Sequence, residues 1–176
     1  MTRIYGPLAF SLLLVFLSLS FPSAQAQERN VLRDPYKKWL DEEVRWIIDD
    51  QERANFNSLS TDRQRDEFVI AFWERRNPIP GAADNTFKEE HYRRLAYANE
   101  HFAAKVPGWK TDRGRFYIMY GKPNEVVRSF RMDGVNSEEW YWDYIEGIGN
   151  DVKLTFVDTC RCGEFPLTSG ENGVKK

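Results

Sequence analysis

Histidine and cysteine are nearly missing from this chain of 176 residues, which holds two of each. Two cysteines exclude a multi-disulfide scaffold. The histidines, His91 and His101, stand ten residues apart on what reads as one helix. At 3.6 residues per turn they lie about 80° apart around the axis, so they are poor joint ligands and no metal is expected. Excess positive charge is missing as well, since 25 Lys and Arg face 27 Asp and Glu. Nucleic-acid binding needs clustered, uncompensated cations, so no nucleic-acid partner is expected. The sequence has no Gly-x-Ser-x-Gly elbow, no phosphate-cradling glycine-rich loop and no His-Glu-x-x-His pair. The familiar marks of acyl transfer, nucleotide binding and zinc hydrolysis are therefore absent, and no cofactor is implied.

Long apolar runs are also scarce. The one run, Leu8 to Leu19, is shorter than the roughly 20 residues that cross a bilayer. Arg3 precedes it and Ser23-Ala24-Gln25-Ala26 follows with small residues at the positions signal peptidase reads. Residues 1–26 thus read as a signal peptide, with an exported product, periplasmic or extracellular, that has no transmembrane segment after cleavage. Removing them takes away Arg3 and no acid from a formal charge of −2, which leaves a net charge near −3.

What the chain does have is aromatic residues, including six tryptophans, all beyond Ala26. Rings in such number build a large core for a small domain. Asp34-Pro35 starts a helix in which Tyr36, Leu40, Val44 and Ile47 or Ile48 recur at helical spacing, ending between Asp49 and Asn55. Thr61 with Gln64 forms a capping box for a second helix, carrying Phe68, Val69, Phe72 and Trp73 and stopping before Pro78. Thr86 with Glu89 opens a third, with Phe87, His91 or Tyr92, Leu95, Ala98 and Phe102 on one face, closing at Val106-Pro107-Gly108. The period then changes to two: Phe116, Ile118 and Tyr120, then Trp140, Trp142 and Tyr144, then Val152, Leu154 and Phe156. The expected fold is α+β, with three N-terminal amphipathic helices packed on one face of a roughly four-stranded antiparallel meander. One domain over 27–167 and a disordered tail over 168–176 complete the outline.

Motifs crowd the middle of the chain: Trp73-Glu74-Arg75-Arg76-Asn77-Pro78, Asn85, Arg93-Arg94, Ala98-Asn99, Gly108-Trp109-Lys110-Thr111-Asp112-Arg113-Gly114 and Tyr120-Gly121-Lys122-Pro123. In this order they resemble the GWxTD domain of bacterial secreted proteins, whose defining string is met by Gly108, Trp109, Thr111 and Asp112. Asn77 departs from the pattern, standing where an aspartate is expected. The resemblance brings no established activity with it.

From the residues themselves, Trp109 sits where the third helix hands over to the first expected strand, as a plug for the helix–sheet seam. Asp112 is placed to accept hydrogen bonds from turn amides or an arginine, and Gly114 to adopt a backbone conformation closed to other residues. With Arg75, Arg76, Arg93, Arg94 and Arg113 these residues would form one semi-buried ionic network. The same arginines would also suit a pocket for a carboxylate or phosphate. Three functions stay open: a non-catalytic interaction domain of the bacterial envelope, binding an envelope protein or cell-wall component; an envelope hydrolase using Asp112 or Glu74 with these arginines; and carbohydrate binding through Trp140-Tyr141-Trp142. Adjacent acids such as Glu138-Glu139 read as solvated faces. For Cys160-Arg161-Cys162 the options are a tight-turn disulfide, pairing with another chain, or two ligands of a soft metal, and the first is favoured.

Cleavage after Ala26 leaves Gln27 as the first residue of the mature protein. The intact mass of protein recovered from an exporting bacterial host is expected to match that species. Recovery of a dominant form that keeps residues 1–26 would reject the exported reading.

Overall fold

Capping chemistry, rather than apolar period alone, sets the helices. The computed structural model describes residues 33–170, so the expected signal peptide over 1–26 and the last part of the expected tail lie outside the described residues. Helix α1 (Arg33–Lys38) runs into a π-helical turn, Trp39–Glu43. The chain breaks at Val44, whose carbonyl accepts from both Ile47 N and Ile48 N. Asp49 then starts a new helix, α2 (Asp50–Ser58): its Oδ1 accepts from Glu52 N at 2.7 Å, and the Glu52 carboxylate reaches back to Asp49 N. The single first helix expected from periodicity is therefore two. A reciprocal cap satisfies two otherwise orphaned amides, which favours a restart where the apolar spacing alone would permit continuation.

Helix α3 (Asp62–Glu74) begins at the expected Thr61–Gln64 capping box. Helix α4 (Thr86–His101) is capped by Asn85, which accepts from Lys88 N, in place of the expected Thr86–Glu89 box. The Asn85 amide also donates to Trp73 O at 2.7 Å, tying the start of α4 to the end of α3. Asn77, buried, closes the intervening turn by accepting from Ile79 N and donating to Ala82 O. An aspartate there would keep the first bond and lose the second.

The segment expected to be the first strand is helix α5 (Asp112–Tyr120). Phe116, Ile118 and Tyr120 do alternate, but Arg113, Phe116, Tyr117 and Tyr120 also share three- and four-residue steps, and Thr111 caps the amide of Gly114. The local cap decides between the two periods. Gly121, at φ +79°, ends the helix with its N–H on Tyr117 O.

The sheet is a four-stranded antiparallel meander in the order β1 (Glu125–Ser129), β2 (Ser137–Ile145), β3 (Gly149–Val157) and β4 (Leu167–Gly170). Strand β4 pairs Leu167 with Phe156 and Gly170 with Leu154, so Thr168 to Gly170 belong to the sheet and not to a disordered tail. The inner face carries Val126, Trp140, Trp142, Val152, Leu154 and Phe156. Tyr144 leaves the expected alternation, exposed while Ile145 is buried.

Two apolar clusters result. The first gathers Trp39, Leu40, Val44, Phe56, Phe72 and Trp73 between α1, α2 and α3, with Tyr92 of α4 against it. The second holds Ala98, Phe102, Trp109, Phe116, Tyr117 and Ile118 against the inner face of the sheet. Thus the end of α4 and helix α5 cover the strands, whereas the earlier helices pack mainly on one another; this corrects the expected three-helix layer. The antiparallel sheet and α+β class stand as expected.

Glu52 clamps the first cluster. Its carboxylate takes Arg76 Nη2 at 2.6 Å and Arg75 Nη2 at 2.9 Å, and Arg76 also donates to Phe72 O and Ile47 O while lying over the Phe72 ring. Partial burial works to raise the Glu52 pKa, but the hydrogen bonds from Arg76 and Arg75 overcome it and hold the group at about 2, against 4.5 ordinarily. A folded-state pKa below the unfolded one stabilises above pH 4.5, and that stability is lost as pH falls through about 2. Glu52→Gln is expected to be less stable than wild type at neutral pH and to lose less on acidification across that window. Equilibrium unfolding at stepped pH checks this; parallel stability curves for the two proteins would contradict it.

Candidate functional site

The Gly-Trp-x-Thr-Asp string forms the joint between α4, α5 and the sheet. Gly108–Lys110 is one turn of 3₁₀ helix laid directly on α4. A Cβ on Gly108 would stand 2.8 Å from Asn99 Cα and closer still to the Ala98 carbonyl. A Cβ on Gly114 would stand 2.8 Å from the Gly108 carbonyl carbon. Gly114 is an ordinary helical residue, and it has no positive φ. Its need is close approach, which corrects the expected special backbone conformation.

The Trp109 main chain, the Thr111 hydroxyl and one Asp112 oxygen each have a structural partner. Trp109 N donates to Asn99 Oδ1 at 3.0 Å, and Trp109 O accepts from Trp46 Nε1 at 2.8 Å. The Trp109 ring is buried in the second cluster. Thr111 Oγ1 donates to Gly108 O at 2.8 Å and accepts from Gly114 N at 3.0 Å. Asp112 Oδ2 accepts from Leu167 N at 2.7 Å, fastening β4 to the start of α5.

The arginines named from sequence do not converge on Trp109. Arg75 and Arg76 meet at Glu52. Arg93 and Arg94 meet at Glu90, the first at 2.7 Å and the second at 2.6 Å. The hydrogen bond from Arg93, opposed by partial burial and joined by Arg94, draws the Glu90 pKa down to about 2. Arg113 turns to the sheet, with Nη1 3.4 Å from Glu138 Oε1 and Nη2 donating to Gly163 O. Its guanidinium lies 4.0 Å from the Phe165 ring centroid, and burial pulls its pKa below the ordinary arginine range despite Glu138. Three separate ionic knots replace the single expected network.

Asp112 opens onto a cleft of about 280 Å³ shared with Lys110, Glu164 and Phe165, but none of the paired arginines lines it. Glu74 is exposed at the end of α3. The arrangement envisaged for hydrolysis, an acid ringed by those arginines, does not form. Nor do Trp140 and Trp142 offer a sugar-stacking surface, since both lie beneath the helices, 2 % and 3 % exposed.

Several residues that organise this region escaped the sequence reading. Glu138, taken for a solvated acid, is buried; it receives Arg113, Arg128 and, at 2.9 Å, Trp140 Nε1. Strand alternation was the available signal, because Glu138 shares its face with Trp140 and Trp142. Asp158, also buried, accepts from Cys162 N and Gly163 N, both at 3.0 Å. Cys160 and Cys162 are joined, with Arg161 at φ +55° bringing their Cα atoms to 5.2 Å, well inside the roughly 7 Å of an extended chain. Asp158 and the two sulfurs form a compact group, but in the disulfide neither sulfur is a thiolate ligand. His91 is a core residue, 3 % exposed with Nε2 2.7 Å from Glu43 O, and burial lowers its pKa.

Replacing Asp112 by alanine leaves the buried Leu167 amide unpaired, a loss of about 1–3 kcal/mol. Gly108→Ala forces α4 from the 3₁₀ turn at a cost of about 1–3 kcal/mol. Denaturant unfolding should register both, and in Asp112→Ala the exchange of the Leu167 amide should accelerate before that of the β2–β3 amides. Wild-type stability in both variants would show that the string does not carry the joint.

No curated protein and no solved structure matches the chain. A family model described as the GWxTD domain matches residues 25–164, spanning the joint, the three ionic knots and the disulfide turn. The chain belongs to the GWxTD domain family.

Proposed function

We propose that this protein is an exported bacterial envelope domain that holds another protein and performs no catalysis. The observation that carries the reading is the structural engagement of the Trp109 main chain, the Thr111 hydroxyl and one Asp112 oxygen. The Trp109 backbone is taken by Asn99 and Trp46, Thr111 by Gly108 and Gly114, and Asp112 by Leu167. A catalytic carboxylate needs a reacting partner within hydrogen-bond reach, aided by a second group; Asp112 Oδ2 instead accepts from a backbone amide, and the paired arginines stand outside its cleft.

Exposed apolar side chains supply the other half of the argument. Val127, Phe130 and Met132 stand out from β1 and the loop after it, at 40 %, 79 % and 110 % relative exposure. Neighbouring exposed apolar groups suit a protein contact better than free solvent. The Cys160–Cys162 bond fits an oxidising compartment and supports export.

The test is site-specific photo-crosslinking of the full chain in an exporting host. Probes at Val127 and Phe130 are expected to give a discrete protein adduct, whereas a probe at exposed Ile70 of α3 gives none. Absence of any adduct from β1 and its loop would reject the reading. So would turnover of an envelope substrate that disappears in Asp112→Asn at unchanged stability.

A further inference from the structure

Strand β1 is an edge strand, paired only with β2, and four of its five residues are exposed. Edge strands present unpaired amides and carbonyls, a template for another strand unless they are covered or blunted. The side chains of β1 alternate between faces. Val127 points to the outer face, while Val126 and Arg128 point towards the helices and line a cleft of about 280 Å³. The opposite wall is aromatic, with Tyr97 of α4, Phe102 and Tyr117 of α5, and Trp140 lies beside Val126 on the sheet. Tyr97 stacks on Tyr117 with centroids 4.5 Å apart and stays 37 % exposed.

Size and charge narrow the occupant. The volume lies just below the roughly 300–1,000 Å³ of pockets that enclose small-molecule ligands, and suits one large side chain. Lys122 at the mouth is exposed and has no ion pair among the described residues. Glu138, the carboxylate paired with Arg128 among the described residues, also receives Arg113. Glu125 lies on the outer face with Val127, away from the cleft. The mouth is therefore cationic, and its complement is acidic.

We propose that β1 accepts an additional strand from a partner protein: an extended segment with one large aromatic or apolar side chain seated in the cleft, and an acidic residue facing Lys122 and Arg128. Main-chain pairing along the edge supplies attachment, and the cleft selects every second side chain. This inference rests on the interaction reading above and specifies its partner class.

The probe is a short synthetic peptide of alternating Thr and Val with one central Trp and a Glu two residues later. Its controls are the same peptide with prolines flanking the Trp, the same peptide with Lys for Glu, and free indole-3-acetate. Added to the full-length processed protein, the Trp–Glu peptide is expected to bind and to slow hydrogen exchange at alternate amides of β1. Prolines should abolish binding, since they remove the pairing donors. The Lys peptide, and the variant Lys122→Glu with the original peptide, should each bind about tenfold more weakly or worse. Tyr97→Ser should also weaken binding at temperatures where its own unfolding curve shows the variant fully folded, and the folded variant should keep the β2–β3 amide protection of wild type. Binding without protection of β1, equal binding of the proline peptide, or equal capture of indole-3-acetate would overturn strand addition. If photo-crosslinks still form from Val127 while no peptide slows β1 exchange, strand addition fails and the interaction reading survives. If both are absent, both fail.

Discussion

The fold depends on one close approach of three backbones. Ala98 of α4 is covered by Gly108, and Gly108 by Gly114 of α5, with no room for a Cβ at either glycine. Interiors are packed to crystal-like density, so a contact of this kind fixes position to within fractions of an ångström. It sets the angle at which α5 leaves α4, and hence how both helices lie on the sheet. Around it, Trp46 Nε1 and Asn99 Oδ1 hold the Trp109 main chain from two sides. The tryptophan in the family string is thus secured as much through its backbone as through its ring.

Charge is arranged as separate local clamps rather than around that joint. Glu52, Glu90 and Glu138 each gather two arginines, two of the clamps joining separate elements and one lying within a single helix. Glu52 links α2 to α3, Glu90 stiffens α4, and Glu138 joins the sheet to α5. The last is the most buried. A buried pair gains little net stability because desolvation offsets its attraction. Arg113 softens that penalty through the Phe165 ring and the Gly163 carbonyl. The pair's more evident effect is register, because Glu138 can meet Arg113 and Trp140 Nε1 only when β2 presents this residue to the helices.

Elements announced by apolar period and caps together were legible in sequence: α3 from Thr61 and Gln64, β2 and β3 from their alternating rings and branched residues. Where period and cap disagreed, the cap prevailed, as at Asp49 and Thr111. Short edge strands left little trace, because β1 and β4 each bury only one side of few residues and their pairing depends on neighbours distant in sequence. The site was legible as a set of residues but not as a geometry. Gly108, Trp109, Thr111 and Asp112 do stand together, whereas the arginines separate, since each takes the nearest carboxylate and such partnering is set by tertiary placement. Asp158 was hidden because an acid in a sequence looks the same whether solvated or enclosed, whereas the alternation that sets Glu138 on the face of Trp140 and Trp142 was there to be read.

The Cys160–Cys162 bond links residues two apart. In the chain-entropy account, a cross-link stabilises by restricting the unfolded ensemble, and the restriction grows with the logarithm of the enclosed loop. Because the dependence is only logarithmic, a ring this small still contributes about 1.6 kcal/mol, roughly half of the ~3 kcal/mol of a fifteen-residue loop. The bond also shapes one turn, where it presents the Cys162 and Gly163 amides to Asp158 and the Gly163 carbonyl to Arg113. Oxidation state is thereby connected to the rim of the sheet.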